Sequence, residues 1–462
     1  MKQFTLREVE KATGGKLLAG SYDEKIAGIC IDSRIAKEGQ LFFAIAGENT
    51  DGHKYLNALG EKGCTCAVIS DPKALQGVDG LSAILVEDTT KAMGDLARYY
   101  MDQIPAKRVA VTGSVGKTST RDMMYYICSE KYKTGRNVGN FNSIWGVPMT
   151  IMDFDDDLEA VVLEMGMDHA GLIQSMAGIV HPDVGIITNV GVSHIENLGS
   201  REGILKAKLE VTTYFGEDNL LVVNTDCDLL SVENTKGNYR LETAGQSGDV
   251  TGLVSDIRDY GEEGIEYNLT IDGKEYDVRL YIPGAHNAGN SALAILAGLD
   301  LGIDVETAIQ GLQKMELTGK RLTLKENHGI KVIDDTYNAC PDSMKSALKT
   351  LVASHRKGGS GRSIAILGDM YELGPDSDKY HQEVGQFAAT LDELDMLITV
   401  GKLGKNIYEG ASKAGAALEL AHFDTKEELY EELPNIVGKG DMVLVKSSRG
   451  LKSETIVEEI LK

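Results

Sequence analysis

The run Val109–Ala110–Val111–Thr112–Gly113–Ser114–Val115–Gly116–Lys117–Thr118–Ser119–Thr120 holds the residue types of a phosphate cradle. Gly113 and Gly116 allow a tight turn whose backbone N–H groups face an anion. The segment Arg121 to Lys131 reads as a helix, and its positive N-terminal end adds to that field. Lys117 offers a cation to the β- and γ-phosphates of a nucleotide, and the Thr118 hydroxyl suits Mg²⁺. The strict pattern asks for glycine at 111, where this chain has Val111. A glycine turn before a surface helix is the competing reading. Strand, two glycines, Lys and Thr in the motif's order speak against it.

Further along, the apolar strand Ala160–Val161–Val162–Leu163 ends in Glu164. A hydrophobic strand ending in a carboxylate is the second half of a nucleoside-triphosphatase site, where the carboxylate holds the metal. A third strand, 184–188, leads through Asn189 and Gly191 to Ser193–His194. Parallel α/β sheets gather ligands at the carboxyl ends of their strands, so His194 is expected on the edge that carries Lys117 and Glu164. The helix that follows carries Lys206 and Lys208, and the segment from Gly284 to Asn290 opens a long apolar helix with Asn287 and Asn290 at its start. Those amides suit a helix cap or a base edge. Near the N-terminus, Asp32–Ser33–Arg34 and the loop Gly47–His53 present groups suited to a polar, anionic ligand, with a solvated loop as the alternative.

These residues need parallel sheets to bring them together, and the chain reads that way. Its 462 residues suggest three domains. Residues 1–104 read as a small α/β unit, with Pro105 at the hinge; residues 105–318 as the nucleotide-binding core; and residues 319–462 as a strand–helix alternation forming a second doubly wound sheet. Within the core, the alternating pattern from Val250 to Tyr281, turning at Asp272–Gly273, predicts an antiparallel flank on the parallel sheet. The third unit's strand ends carry Asp334–Asp335–Thr336–Tyr337–Asn338, Gly368–Asp369–Met370 and Lys446–Ser447–Ser448–Arg449, expected on one edge facing the core. A net charge of −23 with no Lys/Arg block argues against a nucleic-acid partner. No run of about 18 apolar residues offers a membrane span. The six scattered cysteines and the absence of an apolar leader fit reduced thiols in a cytosol.

The ordered set of motifs resembles the Mur ligases of peptidoglycan synthesis. It comprises Thr112–Thr118, Gly139–Asn142 with Gly146–Val147–Pro148, Leu163–Met167, Thr188–Gly191 with Ser193–His194, and Lys206–Lys208. It continues through His286–Asn287 with Asn290, Asp334–Asn338, Leu367–Met370 with Glu372–Leu373–Gly374, and Val445–Arg449. The resemblance covers essentially the whole chain, and the family's loop also lacks the glycine missing at 111. It implies a small N-terminal α/β domain that meets a UDP group, a central P-loop mononucleotide-binding sheet and a C-terminal Rossmann-like domain. It also implies a carbon–nitrogen ligase that uses ATP and Mg²⁺, with two ions expected. The substrates implied are the small molecules UDP-MurNAc-tripeptide and D-Ala-D-Ala, joined through an acyl phosphate by a cytoplasmic, monomeric enzyme.

The resemblance implies roles position by position. Gly113 to Ser119 hold the ATP phosphates, with Lys117 as the cation. Thr118 and Glu164 bind one Mg²⁺, His194 helps bind a second, and Lys208 stands where the family has a carbamylated lysine serving as a metal ligand. Asn287 and Asn290 lie at the adenine, and Arg321 and Asp335 reach the nucleotide on domain closure. Asp32, Ser33, Arg34 and Gly47 serve the UDP end, Asn140 and Asn142 face the muramoyl peptide, and Tyr337 and Asn338 lie near the dipeptide or the nucleotide. Three positions depart from the family pattern: Cys340 and Asp168 where Asn is usual, and Ser447 where Gly is usual. A relative adding meso-diaminopimelate or L-Lys to UDP-MurNAc-dipeptide is the alternative; no Asp-Asn-Pro-Arg motif supports it. Folylpolyglutamate synthetase should lack this N-terminal domain. A GTPase wants Asn-Lys-x-Asp, which Asn224–Thr225–Asp226–Cys227 does not supply. A pure binding module has no need of Glu164, His194 and Lys208 on one edge.

Overall fold

The computed structural model describes residues 3–47, 50–316, 321–358, 360–415 and 417–462. Glu48 and Asn49 of the first-domain loop, and the expected boundary at 318/319, lie outside the described residues. The described strands form four sheets. A two-stranded ribbon (Phe4–Thr5 with Lys25–Ile26) flanks a five-stranded sheet ordered Lys16–Ala19, Ser82–Leu85, Cys66–Ile69, Gln40–Phe43, Gly28–Cys30. Its first strand is antiparallel and the rest are parallel.

The central sheet has nine strands among the described residues. In spatial order they are Lys274–Leu280, Ile265–Ile271, Gly252–Asp259, Arg240–Gly245, Leu220–Asn224, Val184–Ile187, Lys107–Thr112, Ala160–Glu164 and Thr134–Arg136. The strands from Gly252–Asp259 to Thr134–Arg136 run parallel, and the first two form the antiparallel flank. The hairpin at Asp272–Gly273 has both residues at positive φ, 51° and 73°. That is the twist a two-residue Asp-Gly turn favours.

Side-chain alternation along these strands separates two cores. Val109, Val111, Val162 and Ile186 face the helices Lys117–Ser129 and Asn287–Asp300. Ala110, Leu163 and Ile187 face the opposite way, where Gly146–Asp153, Leu172–Val180 and the N-terminal helix Thr89–Met101 cover them. The first domain therefore shares its apolar core with one face of the central sheet, and Val111 is fully buried in the other. Two-sided burial explains why these strands read as unbroken apolar runs.

The third sheet is ordered Thr323–Asn327, Ile330–Asp335, Met442–Lys446, Ser363–Gly368, Met396–Val400, Glu419–Phe423. All but the first are parallel. One face packs under Pro341–Gly358, Ser377–Ala388 and Gly404–Lys413, the other under Lys426–Ile436 and Glu454–Ile460. Val192 of the central domain is buried in that first face, so the loop leading to His194 is seated against the third domain. The expected three-domain α/β architecture is present. No helix among the described residues is long and apolar enough to cross a membrane.

Candidate active site

The phosphate loop leaves the strand Lys107–Thr112 and enters the helix Lys117–Ser129. Gly113 has φ 151°, and a Cβ there would sit 1.8 Å from Thr188 Oγ1. The loop is braced from the neighbouring strand end: Asn189 Oδ1 accepts from the N–H groups of Ser114 (3.0 Å) and Val115 (2.9 Å), and Thr188 Oγ1 donates to Val115 O (2.6 Å). Lys117 Nζ donates to Gly113 O (2.8 Å) and Ser114 O (3.2 Å), curling the cation over its own loop. Desolvation lowers its pKa, with Arg321 acting the same way and Glu164 opposing.

Glu164, 1% exposed, is held by three side chains. Thr118 Oγ1 donates to its Oε2 (2.8 Å), Asn142 Nδ2 donates to its Oε1 (2.7 Å), and Arg121 Nη1 lies 3.5 Å from Oε2. Arg121 is buried and in turn pairs with Asp122, which also receives Arg136. Nothing in the sequence marks this charged cluster, because a helical Arg-Asp pair carries no signal that it turns inward. Among the described residues no three His, Cys, Asp or Glu side chains gather into a metal cage. Mg²⁺ is commonly held by one or two carboxylates completed by phosphates and water. A buried hydroxyl and carboxylate in contact beside a phosphate loop fit such an ion.

His194 sits at φ 62° ahead of the short helix Ile195–Leu198, with Nδ1 2.5 Å from Glu372 Oε2 of the third domain. Desolvation lowers its pKa, Lys117 and Lys208 push the same way, and Glu372 opposes. Lys208 is buried, and desolvation, reinforced by Lys117, drives its pKa well below the ordinary lysine value. Gly191 permits the third domain's approach: a Cβ there would meet Asp342 Oδ2 at 2.5 Å.

These groups surround a cavity of about 630 Å³ between the central and third domains. Gly113, Ser114, Val115, Gly116, Lys117 and Ser119 form its phosphate-loop side, with Asn142, Glu164, His194 and Lys208 beside them. Asn290 lines it as well, while Asn287 is buried behind it, donating to Pro283 O (2.8 Å). The third domain brings Asp335, Tyr337, Asn338 and Lys446, and Arg321 stacks on Tyr337 with its guanidinium 4.5 Å from the ring centre. Lys446 Nζ donates to Asp335 Oδ2 (2.6 Å) and Asn338 O (2.8 Å), fixing the edge that faces the nucleotide loop. Asn224, Asp226, Gln246 and His286 also line the cavity, and no motif in the sequence marks the first three for it.

Five of the candidate substrate residues are outside this cavity's lining: Asn140, and Asp32, Ser33, Arg34 and Gly47 of the first domain. Arg34 is 85% exposed and forks onto Asp32, whose carboxyl it holds down at about 2. Asn140 is exposed and outside the cavity lining, and Thr118 reaches the site only through Glu164.

Three family models match in order: the "Mur ligase family, catalytic domain" over residues 25–108, the "Mur ligase middle domain" over 111–298, and "Mur ligase, glutamate ligase domain" over 320–449. Over its full length the chain is 35% identical to the UDP-N-acetylmuramoyl-tripeptide–D-alanyl-D-alanine ligase of Bacillus subtilis, covering 99% of that protein. It is 30% identical to the Escherichia coli enzyme of the same name, again over 100% of this chain and 99% of the other. A crystal structure of MurF from Acinetobacter baumannii superposes with a TM-score of 0.91 at 29% identity, covering 100% of this chain and 99% of that one. The MurF ligase of Thermotoga maritima in complex with ADP gives 0.79 at 26% identity over 94% and 96%. With a curated relative matched end to end and all three domain models in sequence, the chain belongs to the Mur ligase family.

Proposed function

We propose that this chain is the ATP-dependent ligase that joins D-Ala-D-Ala to UDP-MurNAc-tripeptide, giving UDP-MurNAc-pentapeptide. One observation carries the reading beyond the names of its relatives. Phosphate loop, carboxylate, histidine and buried lysine from one domain share a single cavity with Asp335, Tyr337 and Asn338 from another. A carboxylate and an amine do not condense in water unaided. The tripeptide carboxylate attacks the γ-phosphorus of ATP, releasing ADP and giving an acyl phosphate. The dipeptide amine attacks the acyl carbon, and the tetrahedral species expels phosphate.

The chain's part is placement and neutralisation of charge. The amides of 113–119 and Lys117 take the phosphates. Thr118 and Glu164 would hold one Mg²⁺; His194 and Lys208, the latter as its carbamate, would hold a second. Bound there, Mg²⁺ neutralises charge developing on the phosphoryl oxygens. The depressed pKa of Lys208 supports carbamylation, because only a neutral amine adds to CO₂. Asn287, Asn290, Arg321 and Asp335 serve the nucleotide, Asn140 and Asn142 the muramoyl peptide, and Asp32, Ser33, Arg34 and Gly47 the UDP end. Tyr337 and Asn338 stand toward the incoming dipeptide. The domains break at 104/105 and 318/319, and the third closes over the central one to exclude water from the acyl phosphate. The enzyme works as a monomer in the cytoplasm.

The test is phosphate release from ATP with UDP-MurNAc-tripeptide, with and without D-Ala-D-Ala. Release requiring both, with pentapeptide detected by mass, supports the reading. Release instead with UDP-MurNAc-dipeptide and free meso-diaminopimelate or lysine assigns the chain to the diamino-acid-adding branch.

A further inference from the structure

A second, smaller cavity of about 230 Å³ opens beside the first. The two share the wall Ser193, His194 and Tyr337 to Cys340, so a molecule in the smaller one abuts the reaction site. Its remaining lining comes from two loops of the third domain, Tyr371–Glu372 and Ser448–Arg449–Gly450. Those loops are tied together: Ser448 Oγ accepts from Tyr371 N (2.9 Å), and Ser448 N donates to Asp369 O (2.9 Å). The cavity is therefore built on strand ends and presents charges of both signs, the Glu372 carboxylate and the Arg449 guanidinium.

Arg449 is exposed, and among the described residues its guanidinium makes no hydrogen bond or ion pair; its ring neighbour is Tyr337, 5.8 Å away. Arg321 approaches the same ring at 4.5 Å, so two guanidiniums lie against Tyr337. Arg321 lines the large cavity alone, and Arg449 lines the small one alone. An unpaired guanidinium at the end of a small pocket suits a carboxylate, which it can grip with two parallel hydrogen bonds.

Resting on the reading under Proposed function, we infer that the small cavity takes the incoming dipeptide as a zwitterion and that Arg449 binds its C-terminal carboxylate. The other end of the dipeptide then lies toward the wall shared with the large cavity, where its ammonium gives up a proton to water and the resulting amine meets the acyl phosphate. A zwitterion fits better than a second phosphate group, because Glu372 would repel a dianion. Arg449 acts here as a specificity residue: it selects an acceptor with a free carboxylate and sets how far that acceptor enters.

The experiment compares D-Ala-D-Ala with its C-terminal amide in the wild type and in Arg449→Ala. Phosphate release is followed in the presence of ATP and UDP-MurNAc-tripeptide, and KM is determined for every substrate. The wild type is expected to prefer the acid by about tenfold to a hundredfold, the loss typical of one charge-assisted hydrogen-bonding group. Arg449→Ala is expected to treat acid and amide alike, with KM for ATP unchanged as evidence of an intact fold, and Arg449→Lys to recover part of the preference. Wild-type turnover together with an unchanged acid-to-amide ratio in Arg449→Ala would overturn this assignment alone. A wild type that forms no product from the acid would overturn the ligase reading and this assignment with it.

Discussion

His194 of the central domain and Glu372 of the third domain meet with Nδ1 2.5 Å from Oε2, and both hold left-handed backbone, φ 62° and 64°. Such backbone is uncommon outside glycine and persists where the surroundings impose it. A carboxylate on one imidazole nitrogen fixes the ring and leaves the other nitrogen aimed elsewhere, as carboxylates behind metal-bound histidines do. Bringing the third domain in thus orients a residue of the central site. Glu372→Ala is expected to raise the Mg²⁺ concentration needed for half-maximal activity by about tenfold, with a smaller change in KM for ATP. A magnesium titration of phosphate release measures this; an unchanged midpoint would separate Glu372 from the metal site.

Lys208 carries a second prediction. Burial and the nearby Lys117 hold its amine neutral at pH values where an exposed lysine is charged. Its folded-state pKa is depressed below the unfolded value, so as pH falls through the ordinary lysine range the unfolded chain takes up the proton first, and this group subtracts stability. Carbamylation offers a way out, converting an uncompensated buried amine into an anion beside cations. Lys208→Ala is expected to lose most activity and to regain part of it with a short added carboxylate. Labelled bicarbonate should give a carbamate carbon signal in the wild type that the variant lacks. Loss without rescue and without the wild-type signal would remove the carbamate from the mechanism.

The sequence makes the phosphate loop, Glu164 and His194 legible for one reason: Glu164 ends an apolar strand, the phosphate loop and the loop to His194 each leave one, and parallel strands bring their carboxyl ends to one edge. The same rule placed Asp335 and Lys446, adjacent strand ends that pair at 2.6 Å. The short edge strands Lys16–Ala19 and Glu419–Phe423 and the strand Arg240–Gly245 carry little signal, because they are short and their residues are half-exposed or partly polar. The first helix begins at Leu6, where Thr5 and Glu8 form a capping box, and Phe4 belongs to a strand. The inward turn of Arg121, Asp122 and Arg136 and the His194–Glu372 contact cannot be read from the sequence, since each depends on how separate elements pack against one another.

That buried set predicts how Glu164 behaves under substitution. Glu164→Ala removes the acceptor of Thr118 and Asn142 and leaves the guanidinium of Arg121 with Asp122 alone. Both Arg121 and Glu164 are about 1% exposed, so an unpaired charge there is costly. A loss of about 3 kcal/mol in unfolding free energy is expected, with Glu164→Gln losing less, since its amide oxygen still accepts from Thr118. Denaturant unfolding of the two variants measures the difference; equal stability of Ala and wild type would mean that Arg121 finds other partners.

In the first domain, the Arg34 fork on Asp32 is exposed, so its worth to stability is small. Its value lies in presenting a guanidinium beside the strand end Gly28–Cys30. Arg34→Ala is expected to raise KM for the UDP-linked substrate about tenfold while leaving KM for ATP and the melting temperature in place. A change in the ATP constant instead would place Arg34 in communication with the nucleotide cavity, from whose lining it is absent.

Lys117 gives the sharpest test of the nucleotide site. Its ammonium rests on Gly113 O and Ser114 O, carbonyls of the loop it belongs to, and desolvation lowers its pKa. A cation held at low dielectric over backbone carbonyls gains strongly when phosphates arrive, because anionic oxygens are better partners than neutral ones. The gain grows as charge accumulates on the transferring phosphoryl group, so it appears in kcat as well as in binding. Lys117→Ala is expected to reduce ATP turnover by about a hundredfold to a thousandfold, with the fold retained because the glycine turn and the Asn189 brace persist without it. Steady-state phosphate release with saturating substrates checks the turnover, and a thermal melt checks the fold. Near-normal turnover in a folded variant would mean that this loop does not hold the reacting phosphates, and the ligase chemistry would then need a different nucleotide site.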